Sequence, residues 1–328
     1  MDTERPERYH TLGRYRRGPV RALTPTKLVL DYLFALFIHR TVPSFNLHAL
    51  ANPGKKARQT SDLLHLMKNP PNDWVTQPES LRRRVNSKSG FLAYEISDKG
   101  AQLLVDKHRI SYGDYVLWKK LRQNYKAHHF DHDLGTGYTT SSIELGCRAR
   151  GLRFISWLDV FNRERCPQST RDADNPIAIP YEANGEKRLL IMDEFCGVAH
   201  QDHGAYFMAH ETDTGSEQHR ELASNGVTTT QKLKAYRYVL GTGEYKKLFG
   251  ISDLQVCITT GGVVRMENMK SNLVTIAKQD RRGSTRNFHF KVLPDLTFLT
   301  SKTLVPLDHM LTPWSRAQNK DFDFTAFE

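Results

Sequence analysis

What is scarce in this 328-residue chain narrows its chemistry before any motif is read. No run approaches the roughly 20 uninterrupted apolar residues that a membrane span requires. The most apolar early stretch, Leu28 to Ile38, contains Asp31 and runs into His39 and Arg40, as a core helix does. Cysteine is rare: the four residues Cys147, Cys166, Cys196 and Cys257 show no CxxC spacing. That argues against a disulfide framework or a four-cysteine zinc site and suits a reducing compartment. Met1 to Arg21 is polar and charged where a secretory signal needs an apolar segment, so a cytoplasmic protein is expected. Gly241, Gly243, Gly261 and Gly262 lack the lysine and helix context of a phosphate loop, and no serine or cysteine has a nucleophile's His/Asp partners nearby. Acidic charge is the last deficit, with 36 Asp+Glu against 47 Lys+Arg and a net charge of +11. Such a surplus leaves positive potential on part of the surface and favours a polyanionic partner. No Lys-rich amphipathic helix stands out for a membrane surface. Double-stranded DNA is the expected partner, with RNA and branched DNA left open.

What is present divides along the chain. Residues 1–22 read as a flexible basic arm, in which Arg5, Arg8, Arg14, Arg16, Arg17 and Arg21 alternate with Tyr9 and Tyr15. Such an arm can contact phosphate or the minor groove, or it can be a solvated tail. Residues 23–107 carry the pattern of a winged helix-turn-helix. A helix capped at Thr24 holds Leu28, Leu30, Tyr32, Leu33, Leu36 and Phe37; short helices follow at Phe45–Leu50 and Thr60–Met67. Two strand-like runs, Trp74–Gln77 and Phe91–Ile96, flank a basic connector, and Asp98 caps a closing helix to about Lys107. Lys55, Lys56 and Arg58 stand where a recognition helix begins, while Arg82, Arg83 and Arg84 stand where a wing tip would be. The plainer alternative is a solvated charged face. Residues 108–130 read as a connector with a helical stripe of Tyr115, Val116, Leu117, Trp118 and Leu121.

From 131 to 320 the pattern becomes an α/β domain with a mixed central sheet, and 321–328 is a tail. A helix spans Asp133 to Arg150; strands are expected at Arg153–Leu158, Ile177–Pro180, Arg188–Asp193, Gly204–Asp213 and Leu254–Thr260. Gly197 and the stretch from His200 to Gly204 suit a hairpin turn. Residues two apart on a strand share a face, so Glu211 and Asp213 point together, and a hairpin partner ending in Asp193 would add a third carboxylate. Such an oxygen set suits Mg²⁺ or Mn²⁺. A helix from about Thr228 to Leu240 puts Lys232 and Tyr236 on one face, placed to orient a water or hold a phosphate. His200, His203, His210 and His219 form a looser group whose spacing matches no zinc pattern.

The order of these parts resembles the replication-relaxation family of plasmid and mobile-element proteins, from the LTP at Leu23–Pro25 to LTPWSRA at Leu311–Ala317. The resemblance implies a winged helix joined to a domain related to the PD-(D/E)xK, restriction-endonuclease-like nucleases. It implies that Asp193 matches the motif's first aspartate, Glu211 its acidic residue, and Lys232 a lysine moved from strand to helix. Met192 stands where proline is usual, and Asp213 where the motif has its lysine. Two functions follow as expectations. One is a metal-dependent DNA endonuclease or nicking factor with Asp193, Glu211 and Asp213 as ligands and Lys232 and Tyr236 assisting. The other is a non-catalytic DNA-binding accessory or regulatory protein for replication or mobilisation, with a homodimer or partner protein possible in either case.

Overall fold

The computed structural model describes residues 21–78, 92–123, 130–183, 185–214, 228–280, 284–293 and 308–326. They fall into two units. One draws on residues within 21–118 and 130–145, the other on residues within 119–123, 146–293 and 308–326.

In the first unit, helix α1 (Lys27–His39) is capped by Thr26 rather than Thr24, because the Thr26 hydroxyl lies three residues before the Val29 N–H that it accepts. Its buried stripe includes Val29, Tyr32, Leu33, Leu36 and Phe37. Strand β1 (Val42–Pro43), α2 (Ser44–Ala51) and α3 (Ala57–Lys68) follow. The Thr60 hydroxyl meets the Tyr32 hydroxyl at 2.6 Å and His48 Nδ1 at 2.7 Å, tying α3 to α1 and α2. Strands β2 (Val75–Thr76) and β3 (Ala93–Ile96) complete an antiparallel sheet ordered β1-β3-β2. Ser97, rather than Asp98, caps α4 (Asp98–Asp106), since its hydroxyl is the group that accepts the Gly100 N–H.

The connector expected at 108–130 contains α5 (Tyr112–Gln123), and α6 (Phe130–Ala149) follows. Trp118 stacks on Phe37 with ring centroids 5.7 Å apart. In α6, the buried hydroxyls of Thr139 and Ser141 donate to the carbonyls four residues back, and Ser141 Oγ also accepts from the Asn46 carboxamide of α2 at 2.6 Å. Gly137 lets α6 approach the chain after α1; a Cβ there would lie 1.9 Å from the Thr41 carbonyl oxygen. His39 bridges the same helix, with Nε2 2.6 Å from Glu144 and Nδ1 3.0 Å from Thr140.

In the second unit, β4 (Arg153–Ile155) is shorter than its apolar sequence predicts. Ser156 and Asp159 form a capping box that turns the chain into α7 (Trp157–Phe161). After α8 (Gln168–Asp172), β5 (Ala178–Ala183) and β6 (Glu186–Ile191) form a two-stranded antiparallel ribbon, with no further strand paired to it among the described residues. The central sheet runs β10-β9-β8-β7-β4, from β7 (Glu194–His200), β8 (Gly204–Asp213), β9 (Gln255–Thr260) and β10 (Phe288–Val292). Strands β8, β9 and β10 are parallel neighbours, whereas β7 is antiparallel to both β8 and β4. Parallel neighbours require long crossovers. The first contains α9 (Thr229–Thr242) and α10 (Glu244–Phe249), the second α11 (Val263–Gln279). Every residue of β9 is buried, as befits a strand covered on both faces.

The acidic hairpin differs from the sequence expectation. β8 pairs with β7, not with residues 188–193, so Asp193 opens the hairpin instead of ending the preceding strand. Gly197 lies inside β7 opposite Phe207; the turn falls at 201–203, where Gly204 takes φ +95°. All four cysteines are buried and free. Among the described residues, no helix is long and apolar enough to cross a membrane.

Candidate functional site

Side-chain alternation sends Glu211 and Asp213 of β8 to one face of the sheet, the face covered by α9 and α11. The Thr228 and Gln231 capping box fixes the start of α9, and its 3.6-residue period brings Lys232 and Tyr236 to the same carboxylate. Lys232 Nζ donates to Glu211 Oε2 at 2.9 Å, and the Tyr236 hydroxyl donates to Oε1. Glu211 is 4% exposed and Tyr236 fully buried. Burial first, and the nearby Asp193 charge after it, push the Glu211 carboxyl up to about 8 against the opposing pull of Lys232 and the Tyr236 hydrogen bond. Burial likewise holds the Tyr236 phenol well above its ordinary value, with the Glu211 charge adding to it.

Asp193 reaches this group from the entry to β7. Its N–H donates to the His210 carbonyl at 3.2 Å, and its Oδ2 accepts the Thr212 N–H at 2.8 Å. The aspartate is thereby pinned to the two residues flanking Glu211. Asp213 is engaged differently. Arg265, in the first turn of α11, donates from Nε to Oδ2 at 2.5 Å and from Nη2 to Oδ1 at 2.6 Å. This bidentate pair is nearly buried, with Asp213 6% and Arg265 18% exposed. Arg265 was not singled out in the sequence. Its signal was the strand–Gly-Gly–helix order from Gln255 to Arg265, which sets the first helical turn over the end of β9.

The three expected carboxylates therefore do not form one ligand set: among the described residues no group of three or more His, Cys, Asp or Glu side chains is assembled to hold a metal ion. Asp193 and Glu211 still fit a hard cation in donor chemistry. Magnesium is commonly held by one or two carboxylates, with water and substrate oxygens completing the shell. A cavity of about 20 Å³, lined by Glu211, Asp213, Thr229, Lys232 and Tyr236 but not by Asp193, has room for one water-sized group. The buried Thr229 hydroxyl on its wall has no hydrogen-bond partner among the described residues.

Elsewhere, Lys55, Lys56 and Arg58 lie exposed at the start of α3. Arg82, Arg83 and Arg84 fall outside the described residues, as does His219. His200 and His203 adjoin, with ring centroids 4.6 Å apart, but His210 is buried within β8 on the face opposite Glu211. No family model, curated protein or solved structure matches the chain.

Proposed function

We propose that this chain is a DNA-acting protein of the replication-relaxation kind, in which a winged helix delivers a PD-(D/E)xK-like domain that hydrolyses phosphodiesters with Mg²⁺ or Mn²⁺. The observation that carries the reading is the Lys232 ammonium 2.9 Å from buried Glu211, with Asp193 beside it near the carboxyl ends of parallel strands. Open α/β sheets bind ligands at that edge.

Asp193 and Glu211 are the residues that would hold the cation. When bound, a divalent ion neutralises charge on the phosphate and acidifies a water. In hydrolysis a water oxygen bonds to phosphorus, the phosphorus–oxygen bond to one sugar breaks, and the departing oxygen gains a proton. Lys232 is placed to hold the attacking water or a non-bridging oxygen, and Tyr236 fixes the orientation of Glu211. Glu211 must release its proton to act as ligand or base. In the other half, Lys55, Lys56 and Arg58 would meet the major groove while Arg82–Arg84 track the backbone.

The test is incubation with supercoiled plasmid in Mg²⁺ or Mn²⁺ against EDTA, for wild type, Asp193→Asn and Lys232→Met. Metal-dependent nicking that both substitutions abolish supports hydrolysis. A second reading, a non-catalytic DNA-binding accessory, is favoured by Asp213, which Arg265 already neutralises on both oxygens. Intact plasmid together with a retained mobility shift would select it.

A further inference from the structure

Helix α9 carries a second charged group that the acidic site does not use. Arg237 is 1% exposed and is among the largest fully buried side chains. Its Nη2 donates to the Asp280 carbonyl oxygen just beyond α11, while Nε and Nη1 have no hydrogen-bond partner among the described residues. A guanidinium offers five donors and stays charged, and burying it against one neutral carbonyl leaves its desolvation largely uncompensated. Burial accordingly pushes its pKa down, with the Asp280 charge opposing.

Arg237 lines a cleft of about 440 Å³. Exposed Ser284, Arg286, Gln318 and Asn319 share the lining, with Thr285 between them. No ion pair engages Arg286 among the described residues. Two guanidinium groups, two hydroxyls and two carboxamides converge there, with no acidic side chain among the described residues of the lining.

We propose that this cleft binds a phosphate group carried by a nucleotide or a nucleic-acid strand, with buried Arg237 as the anchor and Arg286 at the mouth. Guanidinium donors match phosphate oxygens in pairs, and the hydroxyls and amides can donate to the remainder. The cleft is open to solvent and wider than inorganic phosphate alone requires, leaving room for the remainder of a nucleotide or strand. The site needs no metal and stands apart from the hydrolytic reading.

Calorimetric titration of the full chain in EDTA with dAMP, with a short single-stranded DNA oligonucleotide and with inorganic phosphate tests it. The expected result is binding of dAMP or the oligonucleotide that weakens about tenfold or more in both Arg237→Gln and Arg286→Ala. Binding of inorganic phosphate with the same sensitivity would assign the anion to a free source and still support the site. If Arg237→Gln loses its native circular dichroism, the exposed Arg286→Glu substitution decides alone. Absence of binding by all three probes, or affinities unchanged by the substitution at Arg286, overturns the proposal.

Discussion

Glu211 holds the sharpest electrostatic conflict in the second unit, a carboxyl buried beside another carboxylate and relieved by one lysine and one tyrosine. Its folded value near 8 stands above the ordinary 4.5, so the unfolded chain releases this proton first. Between those values the native state holds more protons, and its stability falls as pH rises through the window by about 1.4 kcal/mol per unit. Glu211→Gln has no proton to release. Chemical denaturation from pH 5 to 8 is expected to shift in the variant's favour by that increment; parallel curves would place the Glu211 proton elsewhere. Asp213 and Arg265 present the opposite case. Arg265→Ala removes the guanidinium that holds both oxygens of this buried carboxylate and is expected to cost about 3–5 kcal/mol in urea denaturation, whereas Asp213→Asn with Arg265→Met recovers most of it. An equal loss in the double variant would contradict a pairwise interaction. Glu211, Lys232 and Tyr236 were legible because one strand period and one helix period dictate who shares a face. Arg265 was not, because its partner lies 52 positions away in sequence and no local period links them.

At the level of elements, helices were read more faithfully than strand partners. The apolar periodicity of α1 fixes its buried face, and only the cap moved, from Thr24 to Thr26. In residues 188–193 apolarity misled: Leu189 is 62% and Ile191 43% exposed, so this run lies on a two-stranded ribbon and not in the central sheet. Gly197 concealed β7, since glycine inside a strand reads as a turn. Asp193 nevertheless reached Glu211, because entering the hairpin and ending the strand before it place a residue at the same edge. In the first unit, Gly137→Ala forces a Cβ onto the Thr41 carbonyl. Thermal unfolding is expected to show a loss of about 1–3 kcal/mol, where alanine on an exposed helix would stabilise. An unchanged midpoint would show that α6 can withdraw from the turn.

For the whole molecule, the +11 charge is the broadest clue to a polyanionic partner. Exposed Lys55, Lys56 and Arg58 mark one basic contribution at the start of α3. Replacing them with alanine is expected to weaken duplex binding and to reduce the slope of log affinity against log salt by about 0.9 for each phosphate that is no longer neutralised. A slope equal to that of the wild type would remove α3 from the interface. The mixed sheet expected for the second half is present, with Glu211 near the carboxyl end of β8. The most direct measurement is Mn²⁺ binding by electron paramagnetic resonance, for wild type, Asp193→Asn and Glu211→Gln, from pH 6 to 9. The account predicts a bound ion whose affinity rises with pH until Glu211 is ionised near 8 and disappears in both variants. Binding that is equal in all three proteins, or absent from wild type at pH 9, would contradict it.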